Sequence, residues 1–221
     1  MIKAHPSEAL LYQYSSGELS CAMSLMVATH IDMCPSCQRV SAEIEQHLCE
    51  KHFDEIAAKW DQKQCDDMLA AIFSSESSHP LIHNDPNNMI CLQGRRFNLP
   101  PTLANNAYRI GDWNHMLGKL WRAPVSIGGV ENTNLIYMEP GATVPEHTHK
   151  GVEATLVVNG TFSDEYDSYE DGDFIMLDAS RKHSPRTVQE DCLTLATLDA
   201  PLHFTSGISR LLNPFSSLFF K

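Results

Sequence analysis

No apolar run in the 221 residues approaches the roughly 20 consecutive residues of a membrane-spanning helix. The start, Met1-Ile-Lys-Ala-His-Pro, lacks an apolar stretch followed by a small-residue cleavage site, so no secretory leader is expected. Basic charge is scarce: 16 Lys and Arg face 28 Asp and Glu, for a net charge of −12. Such a surface repels phosphate backbones, which argues against direct DNA or RNA binding and favours a basic partner. The acidity concentrates in residues 1–85, with 13 acids against 5 bases, while residues 86–221 have 15 against 11. The seven cysteines are odd in number and unevenly spaced, so no disulfide framework is laid out. Reduced thiols in a cytoplasmic protein are the expectation. Internal repeats, low-complexity tracts and a βαβ pattern are also missing.

What is present divides in two. Residues 1–85 read as helical. A first helix is expected with Pro6 in its opening turn, then breaks at Ser15-Ser16-Gly17. A second runs from Glu18 to about His30, with Leu19, Met23, Met26 and Val27 on one face. A third runs from Cys37 to about Glu50, and a fourth from Phe53 to about Phe73. Residues 86–104, rich in Pro and Asn, read as a linker with room for one strand. Residues 105–201 have β texture, with strands expected at Asn134–Met138, Ala154–Val158, Asp173–Leu177 and Cys192–Leu198. Asn159-Gly160 is a hairpin-turn signal, and Glu170-Asp-Gly-Asp173 marks another turn. Many short strands at this spacing predict a sandwich or barrel. Residues 202–221 form an apolar tail that suits packing on the barrel's flank or a dimer or interdomain contact.

The chemistry lies in two clusters. His30-Ile-Asp-Met-Cys34-Pro-Ser-Cys37, with His5 upstream, offers two thiolates and two imidazoles. That set suits a tetrahedral Zn2+ and leaves no position for substrate, which makes the site structural. His30 and Cys34 are i,i+4 at a helix end, and Cys34 and Cys37 form a Cys-x2-Cys knuckle. The ion would pin helices too small to bury a sufficient core by themselves. A redox Cys-Pro-x-Cys, or two buried cysteines beside unrelated histidines, also fits these residues. Further on, His147 and His149 alternate as on one strand face, Glu153 follows, and His183 comes later. Three imidazoles and a carboxylate suit Zn, Fe, Mn or Ni with an open coordination position. Cys21, Cys49, Cys65, Cys91 and Cys192 read as small buried hydrophobes. His79 and His83 read as loop residues, and His47, His52, His115 and His203 lack ligand context.

Residues 1–80 resemble the zinc-binding anti-sigma domain, whose signature is a distant His followed by His-x3-Cys-x2-Cys. His5, His30, Cys34 and Cys37 each match a ligand position of that family. Residues 105–200 resemble the cupin family. Gly141-x5-His147-x-His149-x3-Glu153-x6-Gly160 fits its first motif, and Gly172-x10-His183 part of its second. The second motif's Pro, Gly and closing Asn are replaced by Asp178, Ser180 and Thr187. The combination resembles ChrR-type anti-sigma factors. It implies an all-α zinc domain joined to an all-β cupin barrel of jelly-roll type. It also implies a cytoplasmic, non-enzymatic inhibitor of an extracytoplasmic-function sigma factor in a 1:1 complex. In that family the cupin is needed for release under singlet oxygen or related oxidative stress. A rival function is a cupin enzyme, a dioxygenase or metal-dependent isomerase, which needs an open pocket and a general base near the metal. A small-molecule-binding module without turnover is a third.

Overall fold

The computed structural model describes residues 1–53, 61–75, 89–116, 118–200 and 202–205. Three helices open the chain: α1 (Glu8–Ser15), α2 (Cys21–Met33) and α3 (Pro35–Phe53). Pro6 lies outside α1. Ser7 caps that helix by accepting from Leu10 N, and a side-chain acceptor at the cap displaces the start past the proline. Ser20 caps α2 in the same way, so α2 begins after Glu18 and Leu19. Cys34 alone separates α2 from α3, and Pro35 opens α3 because its missing N–H needs no partner there. α4 (Gln62–Ser74) is capped by Asp61 and has no buried residue. The segment expected to start it, 54–60, lies outside the described residues, as do His79, His83 and most of the tail.

The stretch expected as a linker is built. It forms a hairpin, β1 (Met89–Leu92) and β2 (Arg95–Asn98), then α5 (Pro101–Asn105) and a 3-10 turn (Ala107–Arg109). The hairpin is tied down by Arg95, which donates to Asp191 at 2.7 Å, while Tyr137 OH donates to the same carboxylate at 2.9 Å. α5 is tied to α2, since Thr102 N donates to Asp32 at 2.6 Å.

The β region continues with β3 (Asn114–His115), β4 (Leu120–Pro124), β5 (Asn132–Met138), β6 (His147–His149), β7 (Glu153–Gly160) and β8 (Phe162–Ser163). Then come β9 (Ser168–Tyr169), β10 (Phe174–Leu177), β11 (Lys182–His183), β12 (Cys192–Leu198) and β13 (Leu202–Phe204). The main sheet has the order β10-β7-β12-β5-β4-β3, and a smaller one the order β11-β6-β13. Neighbouring strands pair antiparallel throughout. The two sheets enclose a cavity in the cupin manner, but their hydrogen-bond ladders do not close into a continuous barrel.

Period two sorts the main sheet's side chains. Leu135, Tyr137, Leu156, Phe174, Leu193 and Leu195 face the helices and form one core with Leu11, Met26 and Val27. Their neighbours Ile136, Met138, Thr155, Ile175, Thr194 and Ala196 line the cavity. Covering both faces makes β12 buried at every position. The helices are therefore not held by an ion alone. They share their hydrophobic core with the outer face of the sheet.

Asn159-Gly160 is not a two-residue hairpin. β7 runs through both residues, and β8 pairs with β9 instead. The reason is local. Gly160 has φ +90°, and a Cβ there would stand 2.0 Å from the Asp191 carbonyl, so the glycine serves a close approach of β7 to β12. Nor are most lone cysteines buried: Cys21, Cys49 and Cys91 are exposed, Cys65 is half-buried, and only Cys192 is enclosed. α-helix outer faces and an outward hairpin position took residues whose average preference is interior.

Candidate metal centres

The first cluster forms where α2 ends. His30 sits on the last turn of α2, Cys34 on the link, and Cys37 in the first turn of α3. His5 comes from the extended segment ahead of α1. Their ligand atoms lie within 4.8 Å of one another. His30 Nε2 is 3.3 Å from Cys37 Sγ, and His5 Nδ1 is 3.5 and 3.4 Å from the sulfurs of Cys34 and Cys37. A tetrahedral zinc with ordinary Zn–N and Zn–S bonds needs N···S edges of about 3.5 Å. The donor set fits zinc in size as well as in kind. His30, Cys34 and Cys37 are buried and His5 is exposed. Burial, with neighbouring His5, outweighs the Gly172 hydrogen bond and pushes His30 down to about 4, which keeps the imidazole neutral as a ligand must be. Burial and the adjacent Cys34 push the Cys37 thiol up to about 11. Two thiolates this close need a cation between them.

The second cluster faces the cavity. β6 sets His147 and His149 on one buried face, and the pairing of His183 with His147 brings β11 alongside. Glu153 opens β7. His149 Nε2 lies 2.9 Å from Glu153 Oε2 and 3.1 Å from His183 Nε2. Those spacings are close to the edges of an octahedron with metal bonds of about 2.1 Å. His147 Nδ1 donates to the Pro145 carbonyl at 2.8 Å, which leaves Nε2 for the ion. Burial and His183 push His147 down to about 4. Burial alone would raise Glu153, but the His149 hydrogen bond and the surrounding imidazoles hold it at about 2. A neutral His147 beside an ionised Glu153 suits a divalent metal. Beside them opens a cavity of about 110 Å³ with almost wholly apolar walls, including Met116, Ile136, Val144, Phe162 and Ile175.

Sequence reasoning missed Asp164. Its side chain is buried, and its Oδ2 lies 3.4 Å from His183 Nδ1. No spacing rule points to a residue in the β8–β9 loop. Among the described residues the other histidines stay apart from both clusters: His115 packs edge-on against Trp121, and His47, His52 and His203 are exposed.

The geometry has close relatives. The ChrR cupin-like domain family matches residues 111–202. The anti-sigma-E factor ChrR of Cereibacter sphaeroides is 31% identical over 225 aligned positions, covering 97% of this chain and 98% of that one. The crystal structure of Rhodobacter sphaeroides SigE in complex with the anti-sigma factor ChrR superposes with a TM-score of 0.69. It is 29% identical and covers 90% of this chain and 100% of that one. A match that spans helices and cupin together, from end to end, decides the matter: the chain belongs to the ChrR family of anti-sigma factors.

Proposed function

We propose that this chain captures an extracytoplasmic-function sigma factor in a 1:1 cytoplasmic complex, keeps it from RNA polymerase, and releases it under singlet oxygen or related oxidative stress. The relationship to a ChrR over nearly the full length of both chains carries this reading. The chain is a regulator rather than an enzyme. In this reading zinc at His5, His30, Cys34 and Cys37 fixes the helices that do the capturing, and a divalent metal at His147, His149, Glu153 and His183 serves the response.

The helical half has a surface for such a partner. On α4, Met68, Leu69, Ile72 and Phe73 recur at helical spacing and are exposed, Phe73 by 83%. An apolar stripe of that size on a helix needs a partner, and the acidic residues around it suit a basic one. The apolar cavity gives a small reactive molecule a way to the cupin ligands. Release then requires that the modified cupin weaken the captured state by more than its binding advantage.

The test is co-purification of full-length protein with its sigma factor, together with a reporter for that sigma factor. Wild type binds, represses and is relieved by singlet oxygen. His147→Ala binds and represses but is not relieved. Failure of the wild type to retain the sigma factor would sink the proposal, and a normal response in His147→Ala would remove the cupin centre from it.

A further inference from the structure

The N-terminal centre is finished by the other half of the molecule. His30 Nδ1 donates to the carbonyl of Gly172 at 2.7 Å, across 142 positions of sequence. Gly172 lies in the turn between β9 and β10. That bond sets the tautomer of His30 and aims Nε2 at Cys37. His5 is delivered by the same turn. Lys3 N and Ala4 N both donate to Asp173 Oδ1, at 2.7 and 3.0 Å. Phe174 N donates to the Ala4 carbonyl at 2.9 Å. Lys3 Nζ reaches the Ser168 carbonyl at 2.6 Å. Ile2 occupies the space a side chain at position 172 would fill, since a Cβ there would stand 2.4 Å from Ile2 Cδ1. Gly172, at φ +88°, is thus required twice, by the turn and by the strap lying on it. Asp173 is fully buried. Its Oδ2 accepts from Glu170 N at 2.9 Å, so one carboxylate holds the turn with one oxygen and residues 3 and 4 with the other.

We infer that the β9–β10 turn is the outer coordination shell of the N-terminal metal centre, and that residues 1–5 are a strap whose hold on the cupin half governs how firmly the ion is kept. When the strap leaves, His5 leaves with it, and a closed site becomes a three-ligand site open to competing ligands. The strap is also joined to the cupin centre. Gly172 N donates to the Val157 carbonyl and Val157 N to that of Asp173. β10 then pairs along β7 from Phe174↔Leu156 to Leu177↔Glu153, ending on a cupin ligand. One ladder runs from the strap to Glu153. The inference rests on the reading of both clusters as metal sites, and it gives the cupin a physical grip on the helical half.

Full-length protein loaded with Co2+ tests it, because thiolate-to-cobalt charge-transfer absorption reports only the centre that contains cysteines. Decay of that band is followed after adding EDTA. Asp173→Ala and, separately, Lys3→Pro, which takes a strap N–H and leaves the barrel intact, are expected to lose the ion about tenfold faster or more. Asp173→Asn keeps Oδ1 for the strap but sets its amide N–H against Glu170 N, so it is expected to lose the ion faster than wild type yet about threefold or more slower than Asp173→Ala, a partial rescue that simple destabilisation of the barrel would not give. Wild-type rates in both Asp173→Ala and Lys3→Pro overturn the strap. A wild type that shows no thiolate band overturns the metal reading itself, and the strap with it.

Discussion

The two clusters are made of similar parts and arranged for different ends. The N-terminal one gathers two sulfurs and two imidazoles at the joint of two helices, four donors that would complete a tetrahedral ion. The cupin one sits between sheets, has only nitrogen and oxygen donors, and opens on an apolar cavity. Sulfur and a closed shell favour retention, whereas a hard, open set favours exchange and reaction. The comparison teaches that one site is suited to hold the inhibitor's shape and the other to be altered. It breaks most directly at Cys34 or Cys37. Either residue changed to Ala should cost the largest part of a binding energy of roughly 10–16 kcal/mol for structural zinc. Loss of sigma-factor capture with only a partial loss of helical circular dichroism is the expected outcome, because α1–α3 keep the core they share with the sheet. Tight capture by either variant would place the cupin, not the His5–His30–Cys34–Cys37 cluster, in the structural role.

A smaller effect tests whether the halves fold as one. Met26 is wholly buried on α2, in the core it shares with Phe174, Leu156 and Leu195 of the main sheet. Met26→Ala should destabilise by about 2–5 kcal/mol through lost burial and the cavity left behind. If the core is continuous, thermal unfolding monitored by helical and by aromatic signals should shift together. A shift confined to the helical signal would mean the sheet does not depend on the helices, and the contrast between the two centres would become one between two independent bodies.

How much of this was legible follows the range of each signal. Ligand spacings are local, so His30, Cys34 and Cys37 around one knuckle, and His147 with His149 on one strand, could be read directly. Strand Cys192–Leu198 was legible because seven consecutive positions are apolar or small. The reason it is buried on both faces was not, because that depends on helices 160 residues earlier in the chain. Asn159-Gly160 misled because its dipeptide serves equally for a tight turn and for close strand approach, and only the position of Asp191 decides. The helix boundaries moved to Ser7 and Ser20, since a single capping hydroxyl outweighs composition at a helix start. The bonds that join the strap to Asp173 leave no pattern in sequence at all. They link residues about 170 positions apart through backbone N–H groups that every residue but proline possesses.

The finest distinction is between what stands behind His30 and behind His183, since His147, like His30, leans on a backbone carbonyl. Behind His30 it is a backbone carbonyl, which mutation cannot remove. Behind His183 it is a side chain, Asp164. Asp164 Oδ1 accepts from Tyr166 N and Asp167 N, at 2.8 and 3.1 Å, which fixes the loop and leaves Oδ2 for His183 Nδ1. Asp164→Asn preserves the shape and the loop acceptor but sets an amide N–H against the imidazole N–H. His183 must then move its proton to Nε2, and a protonated nitrogen has no lone pair for a metal. Cupin metal affinity should fall about tenfold or more, roughly 1.4 kcal/mol or above, while the thiolate centre keeps its ion. Metal content per chain after equilibrium dialysis against graded chelator separates the two sites. Equal retention by Asp164→Asn and wild type would show that Nδ1 of His183 needs no carboxylate, and that the cupin centre, like the N-terminal one, is held by its backbone surroundings.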